Sequence, residues 1–173
     1  GDLTIFFLAL DAKIILNDGA QKRELALRNF YKGYKQLDKR PGEFIEQVWF
    51  KSPGRDTRFN FEKVSKRTNL DIAGVNTAMC LQTSGNSTPA AGISSGGTGP
   101  IPMFLVKASA FLKGKTLSEA LIGEVVSIAR SEISPISDAR GTAAYKRLLL
   151  GQLIKAHFIT LFPELEVEKI LYS

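Results

Sequence analysis

Two neighbouring stretches decide the fold: TRFNFEKVSK at residues 57–66 and DIAGVNTAMCL at residues 71–81. The first alternates apolar and polar side chains and the second is a fuller apolar run, and both patterns are typical of β-strands. Residues 90–95 predict a third strand, after the turn residues 83–86. We therefore predict an antiparallel sheet of about three strands.

Helical patterns dominate the chain after residue 102. A short helix is predicted over Met103 to Leu112, and a capping box from Thr116 to Glu119 is expected to open the next helix. The last long helix is predicted from about Thr142 to Leu161, with Pro163 ending it. Strands followed by helices indicate an α+β fold with a C-terminal helical layer on the sheet. On the last helix, the residues expected to face the protein core are Tyr145, Leu148, Leu149, Leu153 and Ala156.

The first fifty residues mix a helix with short strands. Asp2 is expected to cap a helix through Leu10, and Asn17-Asp18-Gly19 predicts a hairpin turn between strands at residues 13–16 and 22–27. A further strand is predicted at residues 43–51. The linker-like run at residues 52–56 indicates a domain boundary.

Composition excludes several classes of protein. The chain has 173 residues, 44% hydrophobic and 23% charged, which is typical of a globular protein. A single cysteine, Cys80, excludes an intrachain disulfide and cannot hold an iron–sulfur cluster or a structural zinc. The single histidine, His157, argues against a His-based metal site or catalytic triad. The dispersed net charge of +6 does not by itself establish nucleic-acid binding.

The start of the chain is abrupt. Gly1 and Asp2 lead directly into an apolar run that lacks the basic region and cleavage site of a signal peptide. The run is also too short to span a bilayer. We expect the natural protein to continue upstream, and we expect exposed apolar surface around Phe6 and Phe7.

Four features have a functional and a structural interpretation. The glycine-rich residues 92–99 lack P-loop and dinucleotide-binding spacing, which favours a connecting loop over a phosphate cradle. His157 and Cys80 are each interpreted as packed structural residues. Lys63 shares a strand face with Phe59 and Phe61, so it either extends past the sheet or points at a ligand.

Several segments together resemble the FAD subunits of molybdenum hydroxylases, the family of xanthine dehydrogenase and carbon monoxide dehydrogenase. Their order and spacing carry the resemblance over nearly the whole chain. They are GDL with LALDA (residues 1–3 and 8–12), FYKGYK (30–35), PGEFI (41–45), FEKVSKR (61–67), DIAGV (71–75), GGTGPIP (96–102) and ISDARGTAAYKR (136–147).

The resemblance implies two parts. Residues 1–53 would end an α+β FAD-binding domain, and residues 54–173 would form the family's C-terminal domain. Electrons would pass from molybdopterin through 2Fe–2S clusters, both on partner subunits, to FAD and then to an external acceptor, often a pyridine nucleotide or a quinone. The implied protein is cytoplasmic, has no membrane span and does not bind nucleic acid. We expect this chain alone to be inactive, because the glycine-rich loops that hold the FAD diphosphate lie upstream.

Four positions match functional residues of the family. Asp2 matches an aspartate that holds the flavin, Ile45 an aliphatic residue whose main chain lies along the isoalloxazine, and Lys63 a lysine at the flavin's polar edge. Tyr34 matches an aromatic residue near the acceptor's approach. The family's usual Arg-Lys-Thr after that tyrosine is replaced here by residues 35–37, Lys-Gln-Leu, so the acceptor stays open.

Two other functions remain open from the sequence. The chain is alternatively a docking or assembly module without a flavin role, or a nucleic-acid-binding protein, which only the net charge favours. Flavin colour in the intact subunit supports the first interpretation, and salt-dependent retention on DNA supports the last.

Overall fold

The computed structural model describes residues 1–67, 69, 71–85 and 87–165. Asn86 of the predicted turn and residues 166–173 of the predicted second domain lie outside this range. The described elements, in chain order, are α1 (Asp2–Ala9), β1 (Lys13–Asn17), β2 (Lys22–Ala26), α2 (Leu27–Phe30), β3 (Tyr31–Gly33), β4 (Gln36–Leu37), β5 (Phe44–Trp49), β6 (Thr57–Val64), β7 (Val75–Ser84), β8 (Ser87–Gly96), β9 (Met103–Phe104), α3 (Val106–Leu112), α4 (Glu119–Glu132) and α5 (Ala143–Leu161).

The strands form three sheets. The order β2-β1-β5 makes a three-stranded antiparallel sheet, β3 pairs with β4, and β6-β7-β8-β9 makes a four-stranded antiparallel sheet. The α+β prediction is confirmed. The larger sheet gains a fourth strand because Met103–Phe104, predicted to begin a helix, pairs instead with Ser95 and Ser94 of β8.

The helical layer covers one face of the four-stranded sheet. Met79 and Leu81 of β7 and Ile93 of β8 point into it, and all three side chains are fully buried. They meet apolar residues of α3, α4 and α5, namely Ala108, Leu112, Leu121, Ile122, Val125, Ala129, Leu150, Ile154 and Phe158. This is the main core of the described structure.

Helix α1 covers the opposite face of the same sheet, closer than ordinary side chains would allow. A Cβ at Gly92 would lie 2.3 Å from the Ala9 carbonyl oxygen, and one at Gly96 would lie 3.0 Å from Cγ1 of Ile5. Between these two glycines, the Ser94 hydroxyl donates to the Ile5 carbonyl at 2.6 Å. Small residues at alternate positions of β8 thus seat α1 on the sheet.

The chain's first fifty residues are therefore packed on the rest. Phe6 and Phe7, expected to expose apolar surface, are partly buried, with Phe6 against Phe59 at a ring-centroid distance of 4.5 Å and Phe7 against Phe50 at 5.9 Å. Their shared core also contains the buried Ile14 and Leu16 of β1. The expectation was wrong for Phe6 and Phe7 themselves, because Phe59 and Phe50 cover them, whereas Leu3 nearby is 70% exposed.

Two helix boundaries also differ from prediction. Helix α4 begins after Ser118, whose hydroxyl accepts from the Leu121 amide at 3.2 Å, so the capping box predicted at Thr116 does not form. Thr116 instead bridges Ser87 at the end of the four-stranded sheet. Helix α5 begins as predicted, with the Thr142 hydroxyl accepting from the Tyr145 amide.

The face predicted to be buried on α5 was wrong at Tyr145 and Leu148 but right at Leu153, which is 7% exposed. Tyr145 and Leu148 are 44% and 51% exposed, whereas Leu150, Ile154 and Phe158 are fully buried. The helix's own apolar residues occur on nearly every side of it, so their spacing does not indicate which face is buried. The buried side also includes polar residues with internal partners, which sequence patterns count against burial.

The two faces of α5 give a matched stability test. Leu150→Ala should lower the free energy of unfolding by about 2–5 kcal/mol, because it leaves a cavity in the main core. Leu148→Ala, the same change on the exposed side, should alter it by no more than about 0.5 kcal/mol. Urea denaturation of both variants measures the difference. Equal losses would show that α5 is rotated from the orientation described here.

Candidate functional site

The Asp2 carboxylate joins the two halves of the chain. It accepts from the Asn76 side-chain amide at 2.6 Å through Oδ1, and from the Lys63 ammonium at 2.8 Å through Oδ2. The expected capping role is not observed: the N-cap residue is Gly1, and no side chain caps α1. Asp2 faces the sheet instead, because Asn76 and Lys63 offer two side-chain donors there.

Lys63 lies on the strand face that its alternation predicted. It follows Phe59 and Phe61 on the α1 side of β6, and its amine also donates to the Asp71 carbonyl at 2.7 Å. The side chain keeps 29% of its surface exposed. Its ammonium thereby reaches Asp2 of the first segment.

The turn after β6 is tied to the same ammonium. The Asp71 carboxylate accepts from the backbone amides of Arg67 at 2.9 Å and Ile72 at 3.0 Å. These bonds, with that of Arg67 the stronger influence, hold the pKa of Asp71 below its ordinary value, so the group stays ionised near neutral pH. The Asp71 carboxylate thus holds the backbone next to the carbonyl that accepts from Lys63.

A cavity of about 820 Å³ opens beside Asp2. Its lining combines apolar residues with several polar ones, among them four charged side chains. Asp2 and Asn76 lie on its wall, while Lys63 is adjacent through Asp2 and does not line it. The other lining residues include Ile5, Tyr34, Ile72, Gly97, Pro100, Ile101, Ile136, Asp138, Arg140 and Lys146.

The glycine-rich stretch forms part of this wall. Residues 92–96 belong to β8, so the interpretation of residues 92–99 as a plain connecting loop was only partly right. The following turn, from Gly97 to Pro102, borders the cavity. The alternation of small residues in β8 was the available signal for a strand with a helix pressed against it.

Tyr34 and Ile45 are placed differently. Tyr34 is 70% exposed on the rim of the Asp2 cavity. Ile45 is 44% exposed on β5, opposite Leu16 at an irregularity of the β1–β5 pairing, and it does not line that cavity. The structure therefore brings Asp2, Lys63 and Tyr34 to one region and leaves Ile45 on the neighbouring sheet.

Strand β5 is anchored by a buried ion pair just before Ile45. The Glu43 carboxylate, 5% exposed, accepts from Arg23 at 2.7 and 2.9 Å and from the Arg40 amide at 2.6 Å. The Arg23 contact, then that of Arg40, lowers the pKa of Glu43 to about 2. The entry to β5 is thus fixed by charge-assisted hydrogen bonds.

The far wall of the cavity holds a charged cluster whose role the sequence did not reveal. Lys146, 2% exposed, contacts the Asp138 carboxylate at 2.8 Å and the Ile136 carbonyl at 2.9 Å. Lys146 and the Arg140 amide hold the pKa of Asp138 well below its usual range. The signal was the run from Ile136 to Lys146, which entered only as part of the family resemblance.

His157 is a packed structural residue, as predicted, whereas Cys80 is only partly buried. His157 is fully buried, with Nε2 at 2.8 Å from the Thr77 hydroxyl and Nδ1 at 3.1 Å from the Asn60 amide nitrogen. An amide N–H donating to Nδ1 requires the proton to be on Nε2, which then donates to Thr77. Burial lowers the pKa of His157 to about 3 and raises that of the Cys80 thiol to about 11.

The His157 pKa predicts an acid-sensitive core. Because the folded pKa lies below the unfolded value of about 6.5, the stabilisation is complete above that pH and is lost as the pH falls toward about 3. Urea denaturation at about pH 7 and about pH 4 should therefore show a larger loss for the native chain than for His157→Gln. Asp138 and Glu43 titrate in both proteins, so the comparison isolates the histidine. Parallel profiles would contradict the assignment.

Neither metal-binding clusters nor membrane spans are found in the part of the chain that the structure describes. No group of three or more His, Cys, Asp or Glu side chains there is arranged to hold a metal ion. None of the described helices is both long and apolar enough to cross a membrane.

Comparison with known families identifies the class. A model described as the CO dehydrogenase flavoprotein C-terminal domain matches residues 61–161, and one described as the FAD binding domain in molybdopterin dehydrogenase matches residues 1–50. The first covers more than half of the chain. The protein therefore belongs to the CO dehydrogenase flavoprotein C-terminal domain family, and the recognition made from its motifs is confirmed.

Individual relatives agree with this class. The glyceraldehyde dehydrogenase medium chain of Sulfolobus acidocaldarius is 28% identical over 158 residues, covering 91% of this chain and 55% of the relative. The carbon monoxide dehydrogenase medium chain of Afipia carboxidovorans is 25% identical over 154 residues, covering 89% and 53%. The structure of reconstituted CO dehydrogenase from Oligotropha carboxidovorans matches with a TM-score of 0.82 at 25% identity, covering 88% and 53%. The chain spans about half the length of these relatives.

Proposed function

We propose that this chain is part of the FAD subunit of a molybdenum hydroxylase resembling xanthine dehydrogenase, and that it carries electrons from iron–sulfur clusters through FAD to an external acceptor. The observation that carries the proposal is the 2.8 Å contact between Asp2 and Lys63. It joins the segment matched by the FAD-binding model to the segment matched by the C-terminal model, beside a cavity.

The residues at this contact fit a flavin. Two of the three N–H bonds of the Lys63 ammonium are assigned to Asp2 and Asp71 within the described residues, which leaves one for a ligand. Asp2 and Lys63 are partly exposed, at 42% and 29%, so both are accessible. FAD would supply the electron-carrying chemistry. Lys63 would hold positive charge at the polar edge of its ring system, where reduction adds negative charge.

The other proposed contacts lie around this pair. Ile45 would lie along the isoalloxazine through its main chain, and Tyr34 would line the approach of the acceptor, a pyridine nucleotide or a quinone. The exposure of Tyr34 on the rim of the Asp2 cavity supports that role. The role proposed for Ile45 is supported only by the exposure of that residue on the anchored strand β5.

We further propose that residues 1–53 close the FAD-binding domain and that residues 54–173 form the C-terminal domain. The partners would be the upstream part of the FAD-binding domain and subunits that carry 2Fe–2S clusters and molybdopterin. The names of the relatives, each a medium chain of a dehydrogenase, support such an assembly. A cytoplasmic location follows from the same resemblance.

Lys63→Ala tests the flavin role. In the intact flavin-loaded subunit it should lower the flavin midpoint potential, because a fixed positive charge no longer stabilises the reduced ring. It should slow acceptor reduction more than it weakens FAD binding. A redox titration measures the potential.

The matched control is Lys13→Ala. Lys13 forms an ion pair with Glu24 at 2.7 Å on the exposed surface of the three-stranded sheet, so its loss removes the same charge elsewhere. A flavin potential that is equal in the Lys63→Ala, Lys13→Ala and native proteins would refute the role proposed for Lys63. It would favour the docking module without a flavin role.

The 173-residue chain alone should be colourless and inactive. FAD affinity depends largely on diphosphate contacts with glycine-rich loops and helix N-termini, and the family's two loops are not in this sequence. Contacts of Asp2, Ile45 and Lys63 must also overcome several kcal/mol of lost ligand freedom. We expect a dissociation constant no better than roughly millimolar, about −4 kcal/mol. Calorimetric titration of the chain with FAD tests this, and a micromolar constant would place the diphosphate site within these residues.

A further inference from the structure

Three strands bring a lysine, an asparagine and a glycine into one row. In the four-stranded sheet, Lys63 of β6 pairs with Asn76 of β7, and Asn76 pairs in turn with Gly96 of β8. All three lie on the α1 face, directly beneath Asp2. This row contains the donors that fix both oxygens of the Asp2 carboxylate.

The Asn76 side chain occupies space that Gly96 leaves open. Asn76 is 3% exposed, and a Cβ at Gly96 would lie 2.2 Å from its Oδ1. A side chain at position 96 would therefore have to displace the amide. With Oδ1 against Gly96, the amide nitrogen points at Asp2 and donates to Oδ1 of that carboxylate at 2.6 Å.

We propose that Asn76 is a positioning residue for the flavin site, a role that rests on the function proposed above. Asp2 is 42% exposed, so one contact with Lys63 would leave its carboxylate free to turn toward water. The buried Asn76 amide holds one carboxylate oxygen, and this fixes where the other oxygen holds the Lys63 ammonium. Asn76 thus fixes, through Asp2, one of the two contacts that locate the positive charge, the other being the Asp71 carbonyl.

A purely structural role would have a different signature. If Asn76 only fastened α1 to the sheet, its removal would lower stability and leave the properties of a bound flavin unchanged. If it positions Lys63 through Asp2, its removal must change the flavin potential in the same direction as Lys63→Ala. The shifts in potential caused by Asn76→Ala and Lys63→Ala must also be non-additive in the double variant, because both changes act through one ammonium.

The experiment uses the full-length, flavin-loaded subunit with four variants: Asn76→Ala, Lys63→Ala, the double variant, and Asn60→Ala as control. Asn60 is an asparagine on β6 that bonds His157 on the opposite face of the sheet, so its removal perturbs the same sheet without touching Asp2. We expect Asn76→Ala to lower the midpoint potential by less than Lys63→Ala does. The double variant should match Lys63→Ala, and Asn60→Ala should match the native protein.

The outcomes separate this inference from the proposed function. If Lys63→Ala lowers the potential while Asn76→Ala leaves it unchanged or adds its full shift, the positioning role is overturned and the flavin function stands. An unchanged potential in Lys63→Ala overturns both. Should Asn76→Ala not fold, Asn76→Ser, which keeps a polar group too short to reach Asp2, is judged in the same way.

A flavin-free measurement tests the same link. In a double-mutant cycle of urea unfolding, Asp2→Ala and Asn76→Ala should destabilise the full-length chain less together than the sum of their separate effects. Additive losses would show that the two side chains are not coupled, and would overturn the positioning role whatever the flavin potential does.

Discussion

The seating of α1 on β8 is the constraint on which the rest of the structure depends. Gly92, Ser94 and Gly96 leave no bulk between helix and strand, and Ser94 bonds directly to the helix backbone. This close approach gives the four-stranded sheet a second buried face. It also places Asp2, the first residue of α1, above the start of β7, where Asn76 and Lys63 reach it. The candidate site is therefore a consequence of how the two matched segments pack.

The charged side chains differ in how far they are exposed to solvent. Glu43 and Lys146 are nearly inaccessible, and each is satisfied by oppositely charged and backbone partners, so they act as fixed anchors. Asp2 and Lys63 are paired but keep substantial exposed surface. Such a pair contributes little to stability by itself. In the function proposed above, this pair holds an ammonium whose third donor has no partner among the described residues.

The fold class was predictable because its signals are local. Strand alternation at residues 57–66, the apolar run after it and the later helical segments each depend on the chain's own period. The predictions were wrong where contacts with distant elements determine the structure. Met103–Phe104 became a strand because it pairs with the edge of β8. The buried face of α5 contains Leu150, and the sequence did not indicate this because apolar residues occur on nearly every side of that helix. Phe6 and Phe7 are partly covered by the aromatic residues Phe59 and Phe50, which are distant in the sequence.

The sequence by itself determined the family, since motif order and spacing along the chain are properties of the sequence alone. Lys63 was identified on the correct strand face because side chains in a strand alternate with a fixed period. Only the tertiary structure decided that Asp2 bonds Lys63 instead of capping its helix, and that Asn76 lies between Asp2 and Gly96. The two contacts of Asp2 join residues more than sixty positions apart. The geometry that brings them together comes from strand register and helix packing, which local sequence patterns do not specify.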